Sequence, residues 1–419
     1  MRISTLQAFN NGVAGLQRNY ANATRTQEQI STGNRILTPA DDPVASVRLL
    51  QLDQQQNVLS QYNANLTAAK NSLTQEEVTL NSVNTVLQRV RELAVQAGNG
   101  GLSAEDRKSI AAELREREDE LLSLMNTRNA RGEYLFSGFQ GKTQPFVRAP
   151  DGNYSYQGDE GQRKLQIASS LNIPISDSGK SIFENVINAG RYVSALDTTA
   201  QPGSTLSVSA PLVQDEVAVS GNPPFPAAGV GVHFTSDTEY VVYDLASPPD
   251  FTSLDPNLVL ASGSVDKESK TTEKLAFRGV VIQFDGIPVG GETVEIQFDP
   301  SAQKQGLLGT VSSLRMALES PSSNAQVRDA VAVALTNLDH GMVSVDAARG
   351  NIGARLNVIE TTQTDNEDVA LVNKAVQAEL RELDYAEALS RLSFQTILLE
   401  AAQQSYVKIS GLNLFNAMR

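Results

Sequence analysis

The sequence predicts an α+β fold in which a long antiparallel helical coiled-coil bundle is built from both chain ends, with an antiparallel β domain inserted between them. Leucines seven residues apart run through the first quarter of the chain. Short runs of alternating apolar and polar residues, separated by Gly, Pro, Asp and Asn, occupy 142–304. Heptad spacing then returns beyond 305. Helical rods on both sides of the insertion can therefore pair with each other.

The first helix is predicted by three-and-four spacing of apolar residues near the start of the chain. The positions that follow this spacing are Leu6, Phe9, Val13, Leu16, Tyr20, Ala23 and Ile30. Gly33 can adopt the left-handed conformation that commonly ends a helix. Asp42 is a favoured N-cap residue and Pro43 suits the first helical position, so a second helix is expected to begin there. We predict a helix and linker over 1–44, with the linker at 30–46.

The second helix carries the most regular apolar pattern of the chain. Its seven-residue array consists of Leu52, Leu59, Leu66, Leu73, Leu80 and Leu87. A second apolar row three residues later completes a heptad, which Gln55 and Glu76 interrupt. One helix is expected over 43–97, because no Gly or Pro follows Pro43 there. A capping-box pattern at Ser103 and Asp106 predicts a third helix, and 45–141 then form the N-terminal half of the bundle.

Strand signals replace helical periodicity between the two halves of the bundle. We expect strands in five short apolar runs: 165–168, 205–208, 240–243, 277–284 and 294–298. Pro-rich breaks at 222–226 and 247–249 divide this region. We predict that 142–304 form an inserted domain of antiparallel strands.

The C-terminal half of the bundle is predicted over 305–384. Its three-and-four spacing includes Leu335, Leu338, Val345, Ile352, Leu356 and Ile359. We interpret these residues and the leucine array as a shared core within one chain. Direct contact between subunits is the alternative for the array.

The two terminal helices, 1–32 and 385–419, show apolar residues on more than one face. Such helices need burial on more than one side, which a single chain does not easily supply. We therefore expect them to pack in a polymer. The packing residues are Leu6, Phe9, Val13, Leu16, Tyr20, Ile30, Phe394, Ile397, Leu399, Tyr406, Leu412, Leu414 and Phe415.

Composition excludes several classes of function. The net charge of −14 argues against nucleic-acid binding, because phosphate contacts need clustered Lys and Arg. There is no cysteine, so thiolate metal sites, disulfides and cysteine nucleophiles are excluded. The first thirty residues contain no long apolar stretch, so we expect neither a signal peptide nor membrane insertion.

Residue types that carry catalysis or bind metals occur without the patterns that those functions need. Asp41 and Asp42 are adjacent, and we interpret them as turn and N-cap residues. His233 and His340 lack metal-ligand spacing, so we expect ordinary structural positions. The charged run from Glu113 to Glu120 is interpreted as a solvated helix face with intrahelical pairs. We expect no enzyme activity, no cofactor, no metal site and no catalytic residues.

The linker carries the most specific motif of the chain. Residues 30–46 read Ile-Ser-Thr-Gly-Asn-Arg-Ile-Leu-Thr-Pro-Ala-Asp-Asp-Pro-Val-Ala-Ser, which resembles the signature after the first helix of the bacterial flagellin family. Met1–Thr5, Gly132–Gly138 and Ile409–Arg419 resemble a hook-filament junction member of that family more than the filament subunit. The family signature positions are Gly33, Arg35, Pro39, Asp41, Asp42 and Pro43.

This resemblance implies a structural junction protein that links the hook side of a flagellum to its filament through its terminal helices. The implied partners are an adjacent hook-associated junction protein, flagellin, copies of the same chain, and a cytoplasmic export chaperone held by the C-terminal helix. It also implies type III export without a cleaved signal peptide, and an extracellular location in the flagellum. Flagellin itself, or a helical scaffold that displays a glycan-binding β module, are the alternatives.

Overall fold

The architecture is taken from a computed structural model, which describes residues 2–150, 152–196, 203–266, 272–321 and 323–417; side chains are described from Gln7, except Ala8, to Lys408. The described residues divide into two compact units. Unit 1 comprises Met1–Leu66, Ile167–Ser169 and Glu360–Arg419, and unit 2 comprises Thr67–Gln166 and Ser170–Ile359.

Long helices occupy both ends of the chain, as the heptads predict, and one short helix lies in the β insertion. They are α1 (Arg2–Thr32), α2 (Pro43–Ala97), α3 (Ala104–Met125), α4 (Glu216–Val219), α5 (Leu307–Glu319), α6 (Asn324–Arg381) and α7 (Tyr385–Ala417). The predicted capping box is confirmed: the Ser103 hydroxyl accepts from Asp106 N–H, and the Asp106 carboxylate accepts from Ser103 N–H. α6 continues through 361–368, where the apolar pattern lapses, because no helix-breaking residue interrupts it.

The strands lie between α3 and α5. They are β1 (Phe146–Arg148), β2 (Tyr154–Tyr156), β3 (Lys164–Gln166), β4 (Asn172–Pro174), β5 (Tyr192–Leu196), β6 (Ser207–Val208), β7 (Leu212–Val213), β8 (Val230–Phe234), β9 (Glu239–Asp244), β10 (Val259–Ser264), β11 (Glu273–Phe277), β12 (Val280–Asp285) and β13 (Thr293–Phe298). A π-helical turn, Lys180–Glu184, follows β4. The pairings among these strands are antiparallel. The predicted fold class is confirmed.

The insertion is built on two sheets that share one apolar core. The larger has the order β10-β9-β8-β13-β5, and the smaller has β11-β12-β6, with β7 also paired to β12. Alternate residues of the central strand β8, Val230, Val232 and Phe234, are buried with Phe284 of the smaller sheet. The hairpins β1-β2 and β3-β4 form separate two-stranded sheets.

The prediction of one strand over 277–284 is wrong, because a tight turn divides it. Phe277 of β11 pairs with Val280 of β12. The two residues between them, Arg278 and Gly279, have φ values of 43° and 84°. Positive φ at both positions is typical of the two-residue turns that match the twist of an antiparallel hairpin.

The interpretation of Glu113 to Glu120 as a solvated face agrees with the exposed Glu116, Asp119 and Glu120, and Arg117 pairs with Glu120 within the helix at 2.6 Å, but it is wrong at Glu118. Glu118 has no exposed side-chain surface, because it lies on the same buried side of α3 as Leu114 and Leu121. Glu113 binds Arg89 of α2 at 2.8 Å rather than Arg117. One side of this part of α3 therefore faces the helical bundle and the other faces solvent.

The bundle of unit 2 is formed by α3, α5 and the unit 2 parts of α2 and α6. α3 packs along α5. Three polar contacts join α2 to α6 with descending numbers on α6: Glu77–Arg349 (2.9 Å), Asn84–Asp346 (3.3 Å) and Arg91–Asp339 (2.7 Å). These two helices are therefore antiparallel within unit 2.

Candidate assembly surface

The terminal helices α1 and α7 form an antiparallel pair within unit 1. The Thr26 hydroxyl donates to Gln395 Oε1 at 2.8 Å. At the other end of the pair, the ring centroids of Phe9 and Tyr406 lie 5.3 Å apart. A Cβ added at Gly12 would lie 3.4 Å from the Tyr406 ring. Each helix therefore covers one side of the other within the same chain.

The seam between α1 and α7 follows heptad spacing on both helices. On α1 the seam positions, each buried or partly buried, are Gly12, Leu16, Asn19, Ala23, Thr26 and Ile30. On α7 they are Ala388, Leu392, Gln395, Leu399, Ala402 and Tyr406. Four residues assigned from the sequence to polymer packing thus lie in an intrachain seam: Leu16, Ile30, Leu399 and Tyr406. Val13, beside the seam, is also partly buried.

A second apolar face of α7 points away from this seam. Phe394 and Ile397 are each 63% exposed, and Leu398 is 43% exposed. With the exposed Ala401, their spacing of i, i+3, i+4 and i+7 places them on one side of the helix. We call these four residues the outer face of α7. Contiguous apolar side chains in water usually mark a surface that binds another protein.

Two aromatic residues of α1 add to the exposed apolar surface of unit 1. Tyr20 is 65% exposed and Phe9 is 49% exposed, although Phe9 also contacts Tyr406. The side chains of Leu6, Leu412, Leu414 and Phe415, which were also predicted to pack in a polymer, lie outside the described residues.

The linker between α1 and α2 is a hydrogen-bonded joint rather than a free segment. It runs over 33–42 and is shorter than predicted, since helices occupy both ends of 30–46. Gly33 has a φ of 71°, and its carbonyl accepts from Leu383 N–H at 3.0 Å. Arg35 N–H donates to the Arg381 carbonyl at 2.8 Å, and its guanidinium donates to the Leu380 carbonyl at 3.0 Å. The linker is therefore bound to the α6–α7 junction.

The adjacent aspartates of the linker act as turn and cap residues. Asp41 Oδ2 accepts from Leu37 N–H and Thr38 N–H, at 2.9 and 3.0 Å, and Asp41 also pairs with Arg25. Asp42 Oδ1 accepts from Ala45 N–H at 3.0 Å, so Asp42 is the N-cap of α2, and Pro43 is its first residue. Pro39, two residues before Asp41, is exposed. Both carboxylates are thus committed to local structure.

The leucine array and the α6 heptad residues lie on the buried sides of their helices. The buried residues are Leu59, Leu66, Leu73, Leu80, Leu87, Leu338, Val345, Ile352 and Ile359, and Leu52, Leu335 and Leu356 are partly buried. Within unit 1, Gln377 donates to Asp53 at 2.9 Å and joins α6 to α2. Sequence reasoning found these residues from spacing alone.

The histidines occupy structural environments. His233 is buried, stacks on Phe251 with ring centroids 3.6 Å apart, and its Nδ1 lies 2.8 Å from the Thr293 hydroxyl. Burial lowers the pKa of His233 below its ordinary value. His340 Nδ1 lies 3.0 Å from the Ile187 carbonyl oxygen. In the part of the chain that the structure describes, no cluster of three metal-ligating side chains occurs and no helix is apolar enough to cross a membrane.

The first terminal helix and the linker lie in a part of the sequence that is similar to known proteins. A family model described as "Bacterial flagellin N-terminal helical region" matches residues 3–141, which include α1, the linker, α2 and α3. The chain is also 36% identical over 186 residues to flagellar hook-associated protein 3 of Salmonella typhimurium. The N-terminal third of the chain therefore matches the helical region of bacterial flagellins.

The match to the Salmonella protein is partial, since it covers 44% of this chain and 58% of the relative. Two solved structures from Legionella pneumophila extend the similarity. The flagellar hook-associated protein-3 has a TM-score of 0.64 at 26% identity, covering 79% of this chain and 98% of that chain. The flagellar junction protein FlgL has a TM-score of 0.61 at 27% identity, covering 80% and 99%.

The contacts of Glu118 in the bundle were not predicted from the sequence. Its carboxylate accepts from Arg148 at 2.6 Å, from Arg315 at 2.7 Å and from the Tyr154 hydroxyl. Burial opposes ionisation of Glu118, but these hydrogen bonds outweigh it and hold the pKa of the carboxyl below its ordinary value. The signal was present in the sequence, because Glu118 stands four residues after Leu114 in the apolar row of α3.

Proposed function

We propose that this protein is a structural component of the bacterial flagellum that joins the hook side to the filament. The observation that carries the proposal is its similarity, over 79–80% of the chain, to two Legionella proteins described as hook-associated or junction proteins. The partial match to flagellar hook-associated protein 3 of Salmonella supports the same role. This role is mechanical and involves no catalysis.

The terminal pair α1–α7 is the element that we assign to assembly. Its seam is filled from within the chain, and the outer face of α7, with Tyr20 and Phe9, is part of the apolar surface that the pair leaves exposed. Burying an exposed Phe or Ile side chain contributes roughly 1.5–3 kcal/mol. Repeated contacts of this kind with an adjacent junction protein, with flagellin and with further copies would hold the subunits together. Glu118 and the other buried polar contacts belong to the rigid part of the subunit.

Deletion of the gene tests the junction role directly. We expect cells that keep their hooks, lack filaments and release unpolymerised flagellin into the medium, with filaments restored by the wild-type gene. Normal filaments on the deletion strain would overturn the proposal. The flagellin alternative, favoured by the name of the matching family model, predicts instead that the purified protein forms long filaments alone and that the deletion strain releases no flagellin.

We also assign the outer face of α7 to a cytoplasmic export chaperone before assembly. The chain has to reach the flagellum without exposing Phe394 and Ile397 to other apolar surfaces, and a helix with an apolar face suits a groove-type partner. Co-purification of a small protein from the host cytoplasm by wild-type chain, and its loss with Phe394→Asp, would support this assignment. Equal capture by both proteins would contradict it.

A further inference from the structure

A carboxyl group is buried in unit 2 at a position where the heptad of α2 would place an apolar residue. Glu76 stands between Leu73 and Leu80 and is 1% exposed. Its Oε1 accepts a hydrogen bond of 3.1 Å from the backbone N–H of Asp177. Asp177 belongs to the segment 175–179, which follows β4. A carboxyl taken out of water favours its neutral form unless charges or several hydrogen bonds compensate for the lost hydration.

The charges around Glu76 come from three other elements. The Asp177 carboxylate faces it from the segment 175–179 and is held by Arg355 of α6 through two contacts of 2.9 Å. Arg163, just before β3, is the other nearby cation, and its guanidinium binds Glu133 at 2.7 Å. Both cations therefore already serve other carboxylates. Burial, and then the Asp177 charge, raise the pKa of Glu76 to about 8.

We propose that Glu76 is a proton-operated latch that holds the segment 175–179 against α2. Protonated, Glu76 fits between the leucines of α2 and accepts the Asp177 N–H. Ionised, it faces the Asp177 carboxylate across a buried contact, and the segment moves off α2 so that water reaches both groups. Movement of the segment would also reach residues 136–137, because Gly179 N–H donates to the Phe136 carbonyl at 2.9 Å and Ser178 forms a β-bridge with Ser137.

The direction of the pH effect follows from the two states of the latch. The pKa of Glu76 is about 8 in the closed state, and in the open, hydrated state it returns toward its ordinary value of 4.5. The open state therefore binds fewer protons between these values. The opening equilibrium is expected to rise by about tenfold per pH unit in this window and to level off above it.

Hydrogen exchange of the backbone amides of 173–179 tests the latch. Rates are measured between pH 5 and 9 in the full-length chain and in Glu76→Gln, whose neutral amide mimics the protonated carboxyl. The ratio of the two rates cancels the intrinsic pH dependence, because this peptide has the same sequence in both proteins. We expect the wild-type to mutant ratio to rise about tenfold per pH unit up to about pH 8. A ratio that is constant with pH would overturn the proposal.

Glu77→Gln is the matched control, since it removes the neighbouring carboxylate of α2, which pairs with Arg349. In Glu77→Gln, exchange of the 173–179 amides should keep the pH dependence of the wild type. Exchange that does not change with pH in this variant would assign the pH dependence to the overall charge of α2 and not to Glu76. If Glu76→Gln does not fold, hydrogen exchange in the wild-type chain alone still tests the latch. Protection of 173–179 should then fall with pH relative to that of 331–345 in α6, and parallel loss of protection in both segments would overturn the latch.

Discussion

Charged side chains inside the bundle are held by specific partners, and this decides what each one contributes. Glu118 is fully buried and accepts from two arginines and a tyrosine that lie on α5, β1 and β2. Asp119, the next residue, is 51% exposed and shares Arg148 at 3.0 Å. The two neighbours thus contact the same guanidinium from environments of very different polarity.

Glu118→Ala is expected to lower the free energy of unfolding by about 3–5 kcal/mol, because it leaves Arg148 and Arg315 without their buried partner. Asp119→Ala is the control and should lower it by less than about 1 kcal/mol, as for other exposed ion pairs. Urea unfolding of both variants, followed by circular dichroism, measures the difference. Equal losses in the two variants would show that burial of Glu118 does not determine its contribution.

At the scale of single elements, the long helix α6 contains glycines with opposite surroundings. A Cβ at Gly341 would lie 2.1 Å from Leu307 of α5, whereas nothing lies within 4 Å of a Cβ at Gly350. Gly341 is therefore needed for the close approach of α5 and α6. Gly350 has no such packing role in the described chain, and as a helix-interior glycine it weakens α6.

Gly350→Ala is expected to stabilise the protein by about 1 kcal/mol through helix propensity. Gly341→Ala should destabilise it by about 1–3 kcal/mol, because the new methyl group overlaps Leu307. Thermal unfolding of the two variants and the wild type shows whether each substitution raises or lowers stability. A lower melting temperature for Gly350→Ala would mean that this glycine serves a conformation or contact other than the one described.

A helix or strand could be predicted from the sequence where local interactions determine its position. Local signals were sufficient for helix ends, as at Gly33, at Asp42 with Pro43 and at Ser103 with Asp106. The turn at Arg278 and Gly279 was missed because a positive φ in arginine has no sequence signal, and the flanking residues are apolar on both sides. Three-and-four spacing located the buried sides of α2 and α6 because those helices have regular apolar rows.

Sequence alone could not tell which apolar row of a terminal helix faces its own chain. Leu399 and Tyr406 lie toward α1, whereas Phe394 and Ile397 are exposed, although all four have similar hydrophobicity. Their assignment depends on the antiparallel pairing of α1 with α7, which joins residues almost 400 positions apart. The buried polar contacts of Glu118 and Asp177 are equally non-local, since their partners come from distant segments.

At the scale of the whole molecule, the proposed assembly surface and the buried ion pairs of Glu118 belong to different units. The bundle of unit 2 contains buried leucines of α2, α3 and α5 and the buried carboxylate of Glu118, as expected for a stiff subunit body. Unit 1 holds the terminal pair and the exposed apolar residues of α7. This distribution supports a structural subunit whose ends make the connections, and it makes the outer face of α7 the part on which the proposed function depends most.

The most direct test is filament formation in the host by a chain with the outer face of α7 made polar. Phe394→Asp with Ile397→Asp should leave the α1–α7 seam intact but prevent attachment, so cells keep hooks, lack filaments and release flagellin into the medium. Val217→Asp, at an 80% exposed apolar position of the insertion, is the control and should give normal filaments. Both chains must be made and exported at wild-type amounts. Normal filaments with the Phe394 and Ile397 double variant would contradict assembly through this face.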